Sequence, residues 1–260
     1  MKAMRNICLA TLCSVLAASQ NCTAQELESV VPCQVRTLHF PADRSMGVVY
    51  VGELRPLEWW LWWHEWEIVA QAKGDVQVPI DKAAMLAITT EAAKDISPLA
   101  ALGPDDIQAI TFRYCERNIY DSDLRYLSHL TGLKYLGLGS TEIEGSGLAH
   151  LSGLKSLETL ALRGTDVSDD NLKHIAKLRS LKRLHLSNTK VTDAGLVHLR
   201  NLGSLEAVYL GFARISGEGF SAFADTNSIR ILWLNYSKIT DEGLKHIAKF
   251  LNVRRRSDTG

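Results

Sequence analysis

The sequence predicts an α/β fold: a right-handed solenoid of about seven coils of 24 residues, preceded by a small β-rich cap. Three observations predict it. Apolar residues return every 24 positions from Leu133 onward. Within each period, alternating residues that suit a short strand precede leucines three apart that suit one face of a short helix. Residues 25–82 show no such period.

Residues 1–24 are predicted to be a signal peptide. Lys2 and Arg5 precede the apolar stretch 7–18, and small residues before Gln25 suit cleavage. This stretch is too short to span a bilayer comfortably, and no later segment is long and uncharged enough to be a membrane span. We therefore expect an exported protein, located in the periplasm, in the cell envelope or outside the cell.

Residues 25–82 are predicted to form the β-rich N-terminal cap. Proline and glycine separate four short stretches with strand-like composition. These stretches are Val35–Phe40, Gly47–Val51, Glu67–Ala72 and Val76–Ile80. Because the end of a solenoid exposes core leucines unless something covers it, we expect these strands to cover the first coil.

Residues 83–260 are predicted to be the solenoid, ending in a short basic tail that contains Arg254, Arg255 and Arg256. Two apolar columns carry the period, and each member follows the previous one by 24 residues. The columns are Leu133, Leu157, Leu181, Leu205, Ile229 and Val253, and Leu136, Leu160, Leu184, Val208 and Leu232. Earlier in the chain, one coil is longer by two residues and the first coil is degenerate.

The turns between strand and helix carry polar residues that we expect to stabilise the coils. Ser168-Asp169, Thr192-Asp193 and Thr240-Asp241 precede the predicted helices, where hydroxyls and carboxylates cap free N–H groups. A column of hydroxyls after the strands is expected to bond the backbone of adjacent coils. It consists of Thr141, Thr165, Thr189 and Ser237, with Ala213 as the break.

Composition and motifs argue against an enzyme. Lys plus Arg equals Asp plus Glu at 29 each, so a general attraction to nucleic acid is not expected. No phosphate loop, nucleophile elbow or zinc motif is present, and we expect no catalytic residues, no metal and no cofactor. Four histidines share one column of the repeat, and we interpret them as repeat residues at the rim of the core: His150, His174, His198 and His246.

The segment from Leu181 to Leu196 resembles the leucine-rich repeat family. More closely, Val191-Thr192-Asp193-Ala194-Gly195-Leu196 resembles a bacterial exported subgroup whose coils end in Thr-Asp-x-Gly-Leu. This resemblance covers about two thirds of the chain. It implies a curved scaffold in which the solvent-facing residues of the strands line a concave face and carry recognition, while partners differ between members.

The concave face implied by the resemblance gives our leading candidate site, for an unidentified protein ligand. Along the coils its middle strand position reads Gly137, Ala161, His185, Tyr209, Trp233. Large aromatic residues rimmed by hydrogen-bonding groups are typical of protein interfaces, although drift at unconstrained surface positions remains the alternative. The candidate binding residues are Arg163, Arg183, His185, Tyr209, Trp233 and Asn235.

A tryptophan-rich segment, residues 59–66, is the alternative site. It holds Trp59, Trp60, Trp62, Trp63 and Trp66, which are five of the six tryptophans of the chain. Exposed indoles stack on sugar rings, so one interpretation is binding to a polysaccharide of the cell envelope or the extracellular space. The other is that these side chains fill the core of the cap.

Two cysteines, Cys33 and Cys115, follow the predicted leader. In an oxidising compartment such a pair favours one disulfide, and two independent buried thiols are the alternative.

Overall fold

The computed structural model describes residues 34–53, 66–113, 115, 119–223 and 228–248. The predicted leader and the basic tail lie outside them. The described chain forms eleven short strands. Their bounds are β1 Val35–His39, β2 Gly47–Gly52, β3 Glu67–Gln71, β4 Asp75–Pro79, β5 Ala83–Ile88, β6 Ala109–Thr111, β7 Tyr135–Gly137, β8 Thr159–Ala161, β9 Arg183–His185, β10 Ala207–Tyr209 and β11 Ile231–Trp233.

Strands β5 to β11 form a parallel sheet with one strand per repeat, in chain order. The middle residues of neighbouring strands are paired in register, and all but the last are buried to 1% exposure or less. They are Leu86, Ile110, Leu136, Leu160, Leu184, Val208 and Leu232. The 24-residue sequence period therefore corresponds to one step across the sheet.

The opposite side of each coil is built from short helical segments, most of them 3-10 helices. In the 3-10 helix residues three apart lie above one another, which matches the spacing of the buried pairs Leu124/Leu127 and Leu148/Leu151. The α-helices are Thr90–Ala93, Leu172–Ile175 and Asp193–Leu196, and residues 241–248 are also helical. The 3-10 segments are Ser97–Ala101, Asp121–Leu127, Ser146–Gly153, Asp169–Asn171, Val197–Leu199 and Glu218–Phe223.

The N-terminal strands extend the sheet beyond the first coil. Strand β2 pairs antiparallel with β5 along six residues, and β3 pairs with the other edge of β2. Strands β1 and β4 form a separate antiparallel pair. The approach of β2 to β5 requires glycine at position 47, where φ is +137° and a Cβ would lie 2.0 Å from the carbonyl oxygen of Ala87. One hydrophobic cluster runs through both parts, from Leu38 to Ile247.

The turn carboxylates bridge coils, which differs from the local capping that we expected for them. Asp193 accepts hydrogen bonds from the backbone N–H groups of Ser216, Gly217 and Gly219 in the next coil, at 2.6 to 3.0 Å. The adjacent hydroxyl of Thr192 caps its own helix by accepting from Ala194 N–H. The Thr192 hydroxyl also donates to Asp169 Oδ2 of the preceding coil, at 2.6 Å, so both side chains of this turn link neighbouring coils.

The hydroxyl column behaves differently from our expectation. Thr141, Thr165 and Thr189 donate to the carbonyl three residues back in their own coil, at 2.6 to 2.7 Å. Ser237 instead donates across the stack to Leu210 O, at 2.9 Å. Leu210 O is the carbonyl that a hydroxyl at position 213 would take, and Ala213 has none. The break in the column is therefore compensated from the next coil.

Cys115 carries a free, buried thiol. Its Sγ donates to Ile88 O at 3.1 Å, so the side chain is turned into the core between neighbouring coils. Cys33, the other member of the predicted disulfide, lies outside the described residues, so the pairing stays a prediction beside the alternative of two separate thiols. Burial raises the pKa of the Cys115 thiol to about 12, which leaves it protonated and unreactive.

Candidate functional site

The candidate site lies on the solvent side of the parallel sheet. In strands β7 to β11 the middle residue faces the core, so the first and third residues face away from it. We call this surface the strand face; its third-position residues are Gly137, Ala161, His185, Tyr209 and Trp233, and its first-position residues are Tyr135, Thr159, Arg183, Ala207 and Ile231. It contains no carboxylate in these strands, because none of these residues is Asp or Glu.

Three aromatic rings form a row on the C-terminal half of the strand face. The imidazole of His185 stacks on the ring of Tyr209, with centroids 4.0 Å apart and an interplanar angle of 2°. The Tyr209 ring lies 6.4 Å from that of Trp233, at 34°. Tyr209 is 8% exposed and Trp233 is 51% exposed. The row therefore ends in an indole that is held by its neighbours and open to solvent.

A second aromatic pair lies in the turns that follow strands β10 and β11, and sequence reasoning missed it. The rings of Phe212 and Tyr236 stack with centroids 4.4 Å apart, and the residues are 56% and 78% exposed. The Trp233 Cδ1 lies 3.6 Å from the position that a Cβ on Gly211, the residue before Phe212, would occupy.

The backbone at Phe212 and Tyr236 is left-handed, with φ of +60° at both residues. The equivalent positions of earlier coils also have positive φ, and they hold small or amide side chains: Ser140, Gly164 and Asn188. Bulky residues rarely occupy this region of the backbone. A signal was present in the sequence, since a column that starts with Ser, Gly and Asn and then changes to Phe and Tyr marks such a turn position.

The polar candidates occupy different environments. Arg163 and Asn235 are exposed, as expected for the rim of a binding surface. Arg183 is only 3% exposed, so it is a buried part of the face and not a rim residue. Burial, followed by the charges of Arg183 and Arg163, lowers the pKa of His185 to about 4. His185 is therefore neutral at pH 7, which suits its stacking on Tyr209.

The tryptophan-rich segment is described only at its end. Trp59, Trp60, Trp62 and Trp63 lie outside the described residues. Trp66 is partly buried, and its indole lies against Gly52, where a Cβ would be 2.8 Å from a ring atom. This member of the segment packs on strand β2.

No group of three or more His, Cys, Asp or Glu side chains among the described residues is placed to hold a metal ion. In the same part of the chain, no helix has the length and apolar character needed to cross a membrane. What the strand face does provide is a rigid aromatic surface with buried and exposed cationic groups beside it.

Comparisons with known proteins agree with a repeat architecture. Residues 177–199 match the family model described as Leucine Rich repeat. No curated protein is a significant match to the chain. An internalin (inlF) from Listeria monocytogenes is 26% identical with a TM-score of 0.49, over 60% of this chain and 42% of the internalin. The aligned region thus spans less than half of that protein.

Two further solved structures are similar over a comparable part of the chain. Internalin C2 from Listeria monocytogenes is 23% identical with a TM-score of 0.48, over 60% of this chain and 73% of that one. TLR13, solved as a complex with ssRNA13, is 20% identical with a TM-score of 0.45, over 61% of this chain and 22% of that one. The family match at residues 177–199 and the observed coils together support a leucine-rich repeat family for this chain.

Proposed function

We propose that this protein is a non-enzymatic binding scaffold that engages another protein through the strand face. The observation that carries the proposal is the pair of stacked aromatic groups on its C-terminal half, which ends in the exposed side chains of Trp233, Phe212 and Tyr236. Exposed large apolar side chains that cluster on one part of a surface mark interaction sites.

The arrangement suits a protein partner on energetic grounds. Tryptophan and tyrosine dominate the binding energy of protein interfaces, because each buries a large apolar area and loses little conformational entropy. Here Tyr209 already holds the adjoining rings in place, since it stacks on His185 and adjoins Trp233. Such pre-ordered side chains lower the entropic cost of association. The exposed Arg163 and Asn235 add a polar rim.

We also propose that binding takes place outside the cytoplasm. The predicted leader at residues 1–24 supports export, and the Thr-Asp-x-Gly-Leu pattern at residues 192–196 supports membership in the exported bacterial subgroup of the repeat family. A non-enzymatic role is supported by the strand composition: β7 to β11 contain no acidic side chain, and carboxylates are among the commonest general acids and bases.

The test identifies the partner class. The full chain is used for affinity capture from a native extract, the captured proteins are identified, and each is purified and tested for direct binding. In parallel, the chain is applied to a glycan array. Direct binding of a purified protein that is lost in Trp233→Ala supports the proposal. Glycan binding that is lost in Trp60→Ala and Trp62→Ala but kept in Trp233→Ala contradicts it and favours the tryptophan-rich segment.

A further inference from the structure

A guanidinium group without a hydrogen-bond partner is buried in the strand face. Arg183 is 3% exposed. Its Nη2 is shielded from solvent and donates to no acceptor among the described residues. A buried N–H group that lacks both water and an acceptor is costly. A ligand that supplies the missing acceptor would remove this cost.

A second unpartnered polar atom lies beside it. Thr159 is paired in register with Arg183, one strand earlier and on the same face of the sheet. Thr159 is 1% exposed, and its Oγ1 also has no hydrogen-bond partner. Neighbouring strands in a sheet are about 4.8 Å apart, so the backbone positions that carry the hydroxyl and the guanidinium are adjacent.

The surroundings carry unbalanced positive charge. Arg163 is exposed and lies near enough to His185 to lower its pKa, as Arg183 does. Lys182 is balanced by Glu158, whose carboxylate lies 3.0 Å from the Lys182 Nζ. Neither Arg163 nor Arg183 has a carboxylate within ion-pair distance among the residues that the structure describes. This part of the strand face therefore holds two unneutralised cations.

The two sides of the His185 ring have different neighbours on the strand face. One side of the His185 ring is covered by Tyr209, at 4.0 Å. On the other side the third-position residue is Ala161, whose side chain is a single methyl group and which is paired in register with His185. The exposed Arg163 follows Ala161 by two residues on the same side of the sheet.

We infer that Thr159, Arg163 and Arg183 form a binding site for a carboxylate, supplied by an acidic side chain or the C-terminus of the protein partner. The inference rests on the proposed function, which makes the ligand a polypeptide. A guanidinium presents two N–H groups in the spacing of the two oxygens of a carboxylate, and the Thr159 hydroxyl adds a third donor. The aromatic groups next to the site would then hold the apolar part of the partner.

The probe is acetate, titrated into the full chain at pH 7 with chloride replaced at constant ionic strength. NMR shifts of the Arg183 Nε–H and of the His185 ring report on binding. We expect a saturable shift that is lost in Arg183→Met and weakened about tenfold in Thr159→Val, which removes a charge-assisted hydrogen bond while keeping the shape. Arg179→Met, which removes an exposed cation four residues before Arg183, is the matched control and should bind acetate normally.

Two results would overturn the inference. One is an acetate response no different from that of chloride. The other is a saturable response to inorganic phosphate where acetate gives none, which would reassign the site to phosphoryl groups. These results are separable from the proposed function. If acetate does not bind but partner binding is still lost in Trp233→Ala, only the assignment of the carboxylate site is wrong. If acetate binds but Trp233→Ala leaves partner binding unchanged, the aromatic surface is wrong and the anion site stands.

Discussion

The imidazole ring of His185 lies parallel to the phenol ring of Tyr209, at 4.0 Å between centroids, and burial together with two arginines keeps that imidazole neutral. The stack joins two neighbouring coils on the strand face. It also links the charged part of the face, at Arg183, to the aromatic part, at Trp233. Changes in the charge of His185 therefore act on both parts.

Stability should depend on pH through His185. Its pKa is about 4 in the folded protein against an ordinary value of 6.5. Above pH 6.5 both states are neutral; between pH 6.5 and 4 only the unfolded state takes up the proton, so stability falls as the pH is lowered. The loss should reach at most about 3 kcal/mol and stop below pH 4. Urea unfolding of wild type and His185→Gln across this range measures it; equal pH slopes would contradict the account.

Removal of Arg183 should raise both stability and the His185 pKa. Arg183→Met replaces a buried group that has an unsatisfied donor with an apolar side chain of similar length, so we expect stability to rise by about 1–3 kcal/mol. The His185 pKa should rise only in part, because burial is the larger cause of its shift. Thermal unfolding and NMR titration measure the two effects. A less stable variant with an unchanged His185 pKa would show that the guanidinium is paired.

The bridging carboxylates should matter more than the exposed ones. Asp193→Ala leaves three N–H groups of the next coil without their acceptor, and we expect a loss of about 2–3 kcal/mol. Asp170→Ala is the matched control, because Asp170 is an exposed acid of the preceding coil. Its effect should stay below about 0.5 kcal/mol. Similar losses in the two variants would refute the bridging role.

Ser237 and position 213 should be coupled. Ser237→Ala removes the hydrogen bond to Leu210 O and should cost about 1 kcal/mol. In an Ala213→Thr background the new hydroxyl can take the same carbonyl, as Thr189 takes Leu186 O, so Ser237→Ala should then cost almost nothing. A double-mutant cycle measures this coupling. Additive effects of the two substitutions would exclude a shared acceptor.

Phe212 and Tyr236, the aromatic residues with left-handed backbone, should contribute to binding and not to stability. Phe212→Asn places at φ +60° the residue type found at the equivalent Asn188. Relief of backbone strain and loss of stacking are each worth about 1 kcal/mol, so the net change in stability should be small. Partner binding should weaken at least about tenfold. Leu244→Asn, which alters a side chain of equal exposure in the helix at 241–248, is the control. A large loss of stability with intact binding would reverse this assignment.

The coil architecture could be predicted from the sequence because its cause is periodic. Each inward position repeats every 24 residues, and a column of leucines can be hidden only if the coils stack, as the buried Leu136, Leu160 and Leu184 show. The four N-terminal strands were also predicted to within about one residue of their bounds, because proline and glycine separate them.

The side-chain arrangement of the site could be predicted only in part. Strand alternation places Arg183 on the strand face, but its burial depends on neighbouring side chains that lie a whole coil away. Asp193 was assigned to its own helix because sequence shows only the near N–H groups, whereas its partners are more than 20 residues further on. The left-handed backbone at Phe212 was missed because aromatic residues do not normally mark such a turn.

The central claim is that the strand face binds the protein partner. The dissociation constant of an identified partner tests this claim most directly. It is compared for wild type, Trp233→Ala and Leu244→Ala, which truncate side chains that are 51% and 54% exposed on opposite sides of the coils. The account predicts a dissociation constant raised at least about tenfold by Trp233→Ala and unchanged by Leu244→Ala. Unchanged affinity in Trp233→Ala, or a loss confined to Leu244→Ala, would contradict it.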